Sequence, residues 1–286
     1  MNTGTTEMNN YANHENQALD IHSLLVSSRS LSQTLHTASP WPHLVMNNFI
    51  TDQNHFDTIR REVSETAARR RDFSLNFRRH FQSPQKNKYG TSDYQLFGPS
   101  TRDLLYEMKS ANLIQFLERV TGISGLIADP MDEGGGIHVI ERDGFLGIHT
   151  DFPVHKILHL SRRVNVFYYL NDDDWQPDWG GDLELWRDTD IEVNKDISRN
   201  DNDKDRDKEN QMEKKQPTVK IAPYANRLVI FPLDNSTFHG HPHPLKCPEH
   251  KTRRSIALYY YTQFSSAEEY QTMKALRQET TFIDEQ

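Results

Sequence analysis

Apolar residues recur at helical spacing twice in the first half of the chain, and then give way to short β-prone runs. After the apolar stretch from Trp41 to Ile50, Thr51-Asp52 offers a helix N-cap. Phe56, Ile59, Val63 and Ala67 follow at intervals of three and four, up to the basic run ending at Arg71. A second helical run starts after Pro99-Ser100-Thr101: Leu104, Leu105 and Met108 lead to Leu113, Ile114, Phe116, Leu117 and Val120, and Thr121-Gly122 closes it. From Gly134 the texture changes. Short runs appear between Gly, Pro, Asn and Asp: Ile137 to Ile140, Phe145 to His149, Arg163 to Leu170, Gly181 to Trp186, Val219 to Ile221, Arg227 to Phe231 and Arg253 to Thr262. Short strands without alternating helices predict a mainly β domain with flanking α-helices. Its core would be a double-sheet jelly roll or barrel, with the N-terminal helices packed on one sheet.

Composition refines this picture. The 286 residues suit one sizeable core. Only 35% are hydrophobic and the mean hydropathy is -0.81, which places part of the chain outside that core. Residues 1–20 read as disordered, and 21–286 as a single domain with its catalytic core at about 134–264. The segment 196–216 carries both signs of charge, with Ile197 and Met212 its only large apolar residues. It reads as a mobile insertion between two strands. The net charge of -8 disfavours a uniformly basic nucleic-acid surface. No stretch has the length of a membrane span and no signal pattern opens the chain, so the expectation is a cytoplasmic protein. The single cysteine, Cys247, excludes an internal disulfide and a cysteine-based zinc module.

The candidate chemistry lies in the β-rich half. Gly147-Ile148-His149-Thr150-Asp151 sets an imidazole and a carboxylate two residues apart, on one face of a strand. A second, distant histidine would complete a two-histidine-one-carboxylate set, which leaves three metal positions open for a bidentate co-substrate and dioxygen. Three histidines compete for that place. His239 follows Phe238 at the end of an apolar region and is the expected ligand, whereas His241 and His243, each before proline, read as turn histidines. In the run Arg253 to Tyr261, Arg253 and Ser255 share one face and Arg254 the other. A guanidinium fork with a hydroxyl beside it suits a carboxylate.

As a set, the pieces GFLGIHTDF, RRVNVFYYLNDDDW, GGDLELW, APYANRLVIF, FHGHPHPL and RRSIALYYYT resemble the prolyl-4-hydroxylase-like branch of the 2-oxoglutarate/iron(II) oxygenases, from about Gly136 to Thr262. The resemblance implies a double-stranded β-helix, with iron(II) on His149, Asp151 and His239. It also implies 2-oxoglutarate chelating the metal and anchored by Arg253 and Ser255, dioxygen as the oxidant, and ascorbate as a stimulant. Tyr169 looks like the tyrosine that contacts the co-substrate. Asn165, on the same strand face, is a further cofactor-binding candidate, and Tyr259 a site-lining one. The implied reaction hydroxylates an unactivated C–H bond of a small-molecule or peptidyl substrate, of which a proline or other amino-acid side chain is the first choice. Natural products, sugars and non-catalytic ligand binding are the alternatives. One departure stands out: where the family often has a tyrosine about ten residues before the first ligand, this chain offers only His138 or Ile140.

Overall fold

The computed structural model describes residues 17–71, 78–79, 85–189, 217–234 and 236–278. The charged segment 196–216 lies outside the described residues, as does the expected disordered stretch as far as residue 16. Ala18 and Leu19 are already buried. Their amides donate to the Glu107 carboxylate at 2.8 and 2.9 Å, so ordered chain begins before residue 20.

Local capping sets the helices. Helix α1 (Ile21–Thr37), which the hydrophobic pattern does not single out, is capped by Asp20, whose carboxylate accepts from the Ser23 amide at 3.0 Å. Helix α2 (Gln53–Ala68) starts on Asp52 as the sequence suggests, and Asp52 accepts from the His55 amide at 2.8 Å. The second helical run divides into α3 (Pro99–Met108) and α4 (Ala111–Thr121). Ser110 caps α4, and Gly122, at φ +73°, stops it. Buried Glu62 of α2 holds the start of α3, accepting from the Thr101 amide and hydroxyl at 2.7 and 2.8 Å. Helix α5 (Ala267–Gln278) follows the last strand.

Among the described residues eleven strands form one curled sheet: β1 (Leu44–Asn47), β2 (Arg78–Arg79), β3 (Gln85–Thr91), β4 (Ile127–Ala128), β5 (Gly136–His149), β6 (Ser161–Tyr169), β7 (Leu183–Trp186), β8 (Val219–Ile221), β9 (Arg227–Pro232), β10 (Phe238–His241) and β11 (Arg253–Thr262). The order is β1-β9-β6-β11-β5-β10-β7-β8, with β3 also on β5 and β4 on β11. Strand β5 joins the two halves. Its first part pairs with β11, and its last part pairs with β10. This is the expected jelly roll.

Strand β11 is buried along its whole length, because both of its faces are covered. Ile256, Leu258 and Tyr260 pack on one side with Phe56, Leu105, Met108, Phe116 and Val120 of the helices. The alternate residues, from Arg253 and Ser255 to Tyr259, line the interior of the roll. The helices thus fill one face and leave the other for a site.

Phe116 is fully buried in this helix-to-sheet core, whereas Val26 on α1 is 71% exposed. Truncating Phe116 to alanine is expected to cost about 3–5 kcal/mol of stability. Val26→Ala should change it by no more than about 0.5 kcal/mol. Chemical denaturation of the two variants checks both figures.

Candidate metal centre

Register brings the ligands together. On the pairing of β10 with β5, His239 lies directly opposite His149, and their ring centroids are 4.7 Å apart. Gly240 permits this approach, since a Cβ there would stand 2.6 Å from the Gly147 carbonyl oxygen. Asp151 follows β5, with one carboxylate oxygen 3.7 Å from His149 Nε2 and the other 3.5 Å from His239 Nε2. The ligand atoms of the three residues all lie within 4.8 Å of one another. Each histidine turns Nδ1 to a backbone carbonyl, His149 to Gly147 at 2.8 Å and His239 to Thr237 at 2.9 Å. Nδ1 therefore keeps the proton, and Nε2 presents its lone pair to the shared point. Two imidazoles and one carboxylate fit iron(II) with open positions.

Electrostatics keep this set ready to bind a cation. Burial pulls the His239 pKa down to about 4, so its ring is neutral at physiological pH. For Asp151 burial works toward protonation, but the Arg162 guanidinium acts against it foremost, and the carboxyl lies well below its ordinary range. Arg162 Nη2 is 3.2 Å from Asp151 Oδ2, and its guanidinium lies 3.4 Å from the Tyr259 ring centroid. Asn165 donates to the same Oδ2 at 2.6 Å and accepts from Arg162 Nε at 2.9 Å. The Asn165 amide is thus spent on the carboxylate and the guanidinium, and it does not line the cavity as a co-substrate contact would.

The rest of the cavity has the chemistry of an anion site. Arg253 enters from β11 and donates from Nε to the Gly181 carbonyl at 2.7 Å and from Nη2 to the Tyr169 hydroxyl at 3.3 Å. Among the described residues no carboxylate forms an ion pair with it. Ser255 is its same-face neighbour and pairs in register with Tyr169, so Arg253, Ser255 and Tyr169 converge as the alternation requires. Of the two residues offered at the place of the missing tyrosine, both His138 and Ile140 line the cavity.

Two further residues of the cavity escape the sequence reading. His241 is not in an exposed turn. It is buried on β10, two residues from His239 and on the same face, with neither ring nitrogen hydrogen-bonded among the described residues. The alternation of the strand could have found it. Lys88 reaches in from β3, paired opposite Ile140. Its segment, QKNKYGT, has one large apolar residue and no signal of a strand. The side chain of His243, by contrast, is 71% exposed, as a turn histidine should be.

Residues 135–261 match the model of the 2OG-Fe(II) oxygenase superfamily. This stretch is a 2OG-Fe(II) oxygenase domain. The chain is accordingly a 2-oxoglutarate-dependent dioxygenase, and its cofactors are iron(II), 2-oxoglutarate and dioxygen. Among solved structures, the oxygenase is similar to a prolyl hydroxylase from Trichoplax adhaerens in complex with a peptide fragment of the hypoxia inducible factor oxygen degradation domain. The TM-score is 0.51 at 18% identity, over 88% of this chain and 94% of that one. It is similar also to a prolyl 4-hydroxylase from Phytophthora capsici, with a TM-score of 0.51 at 14% identity over 91% and 75% of the two chains. At these identities the likeness shows the fold. No curated protein sequence matches the oxygenase. Among its described residues no helix is long and apolar enough to cross a membrane.

The hydrogen bond from Asn165 orients Asp151. Asn165→Ala is therefore expected to weaken zinc(II) binding by about 10- to 100-fold in an equilibrium titration. The buried imidazoles also link stability to pH. His239 and His241 titrate below their ordinary value of 6.5, chiefly through burial, so the unfolded chain takes up their protons first. Their contribution to stability is present above about pH 6.5 and is lost as the pH falls toward about 4. The melting temperature of the metal-free protein should drop across that window, and less steeply in His241→Phe.

Proposed function

We propose that the oxygenase hydroxylates an unactivated C–H bond, with a proline or other amino-acid side chain, free or within a peptide, as substrate. The observation that carries the reading is the convergence of the His149, Asp151 and His239 ligand atoms within 4.8 Å, in a cavity that also holds the Arg253 fork. In this reading His149 Nε2, His239 Nε2 and the Asp151 carboxylate hold iron(II). Arg253 and Ser255 bind the distal carboxylate of 2-oxoglutarate, and Tyr169 orients the guanidinium. Iron(II) with 2-oxoglutarate and dioxygen supplies oxidative decarboxylation to succinate and CO2, with the second oxygen atom delivered to the substrate.

The protein's part is placement. Arg162 and Asn165 fix one carboxylate oxygen of Asp151, so that the group ligates in one orientation. Phe167, Leu183 and Ile140 give the cavity apolar walls that exclude bulk water. A second cavity, lined by Met131, Glu133, Gly134 and Ile157, shares the His138 wall with the metal cavity and offers room for part of a substrate. The preference for an amino-acid side chain rests on the resemblance to the prolyl-4-hydroxylase-like branch. The Trichoplax enzyme, of the same fold, holds a peptide.

Purified protein supplied with iron(II), 2-oxoglutarate and ascorbate should form succinate. Asp151→Ala should abolish turnover. Arg253→Ala should raise the KM for 2-oxoglutarate at least about tenfold, on the worth of a charge-assisted hydrogen bond. A wild-type protein that binds neither the metal nor 2-oxoglutarate would sink the reading. Mass spectrometry of peptide and metabolite pools, read for a product heavier by one oxygen atom, tests the substrate class.

A further inference from the structure

Lys88 is the odd cation of the cavity. It stands on β3 directly across from Ile140 on β5, and Ile140 is in turn paired with Arg253 on β11. Lys88, Ile140 and Arg253 therefore form one row across three strands, all lining the same cavity. A lysine directed into such an interior needs a counter-charge or a hydrogen-bond partner. Among the described residues Lys88 has no ion pair or hydrogen bond. Of the charged groups in the cavity, Asp151 is the carboxylate, and Arg162 already offsets it at 3.2 Å. Asp151 acts on Lys88 and Asp182 on Arg253 only from a distance, no carboxylate among the described residues pairs directly with either cation, and burial depresses the lysine pKa to about 8.

His241 adds an independent sign. It is 4% exposed, lines the same cavity, and leaves both ring nitrogens without a hydrogen-bond partner among the described residues. The charges that act on it most are those of Arg253 and Lys88. A half-buried cation without an ion pair and a buried ring without a hydrogen bond among the described residues, both lining the cavity that Arg253 enters, describe a place for an anion that the protein does not supply.

We propose that Lys88 and His241 bind the distal carboxylate of 2-oxoglutarate together with Arg253, so that this carboxylate lies between two cations. The proposal rests on the dioxygenase reading above and deepens it. It also accounts for Ile140 where the family often has a tyrosine: the aliphatic side chain contributes no polar group, and the ammonium of its cross-strand neighbour reaches the cavity in that row. The co-substrate in turn gives Lys88 the direct ion-pair partner it lacks among the described residues.

Calorimetric titration of zinc(II)-loaded protein tests this without turnover. The two ligands are 2-oxoglutarate and 2-oxopentanoate, which keeps the chelating 2-oxo acid but has no distal carboxylate. Lys88→Met should weaken 2-oxoglutarate binding by about 10- to 100-fold, the worth of one charge-assisted hydrogen bond. It should leave 2-oxopentanoate binding and zinc(II) affinity within about twofold. Lys88→Arg should recover part of the loss, and His241→Phe should give a smaller loss with the same selectivity. Should Lys88→Met not fold, the His241→Phe pair of titrations decides. Unchanged 2-oxoglutarate affinity in these variants overturns the proposal and leaves the dioxygenase reading intact, as does an equal loss for both ligands. Wild-type protein that fails to bind 2-oxoglutarate overturns both.

Discussion

Asp151 can be an anion inside the roll only because Arg162 lies beside it. Taking a carboxylate out of water costs several kcal/mol, and a guanidinium at 3.2 Å offsets that cost where the cation itself is held in place. Here it is held, by the Asn165 side chain and by the face of Tyr259. The same strand, β6, supplies Arg162, Asn165, Phe167 and Tyr169, three of which stand on alternate positions of one face. A single element thus provides the counter-charge, the hydrogen bond that orients the ligand, an apolar wall and the phenol beside Arg253.

The fold makes this possible by dividing labour between faces. On β11, Ile256, Leu258 and Tyr260 pack with the helices and secure stability, whereas Arg253, Ser255 and Tyr259 line the interior and secure chemistry. The bend of β5 then carries the chain from the sheet that packs on the helices to the one that meets β10. The two histidines face each other across the paired strands β5 and β10, so the metal centre exists only once that pairing has formed.

Legibility in the sequence followed the strength of local pattern. His149 and Asp151 were readable because two residues along a strand return to the same face. Arg253 and Ser255 obeyed the same rule in a run rich in β-formers. His241 satisfies that rule too, relative to His239, but the proline after it reads as a turn, and in so short a strand the turn signal hides the alternation. Lys88 gave no sign, since β3 is polar in sequence and owes its strand to pairing with β5 and not to its own propensity. Asn165 was found on the correct face, yet its partner could not be: which of Asp151 or a co-substrate it meets depends on where the chain after β5 turns. The break at Lys109 and Ser110 between α3 and α4 was likewise concealed, because apolar spacing runs on across it.

The orientation of both metal-facing histidines comes from carbonyls two residues earlier on their own strands, Gly147 and Thr237. Those acceptors belong to the main chain, so substitution of neighbouring side chains leaves them in place. A sequence can drift far under such an arrangement without exchanging one tautomer for the other. The centre is in this sense inherited with the backbone trace, which lets a roll of this kind change most of its amino acids while the lone pairs keep the same aim.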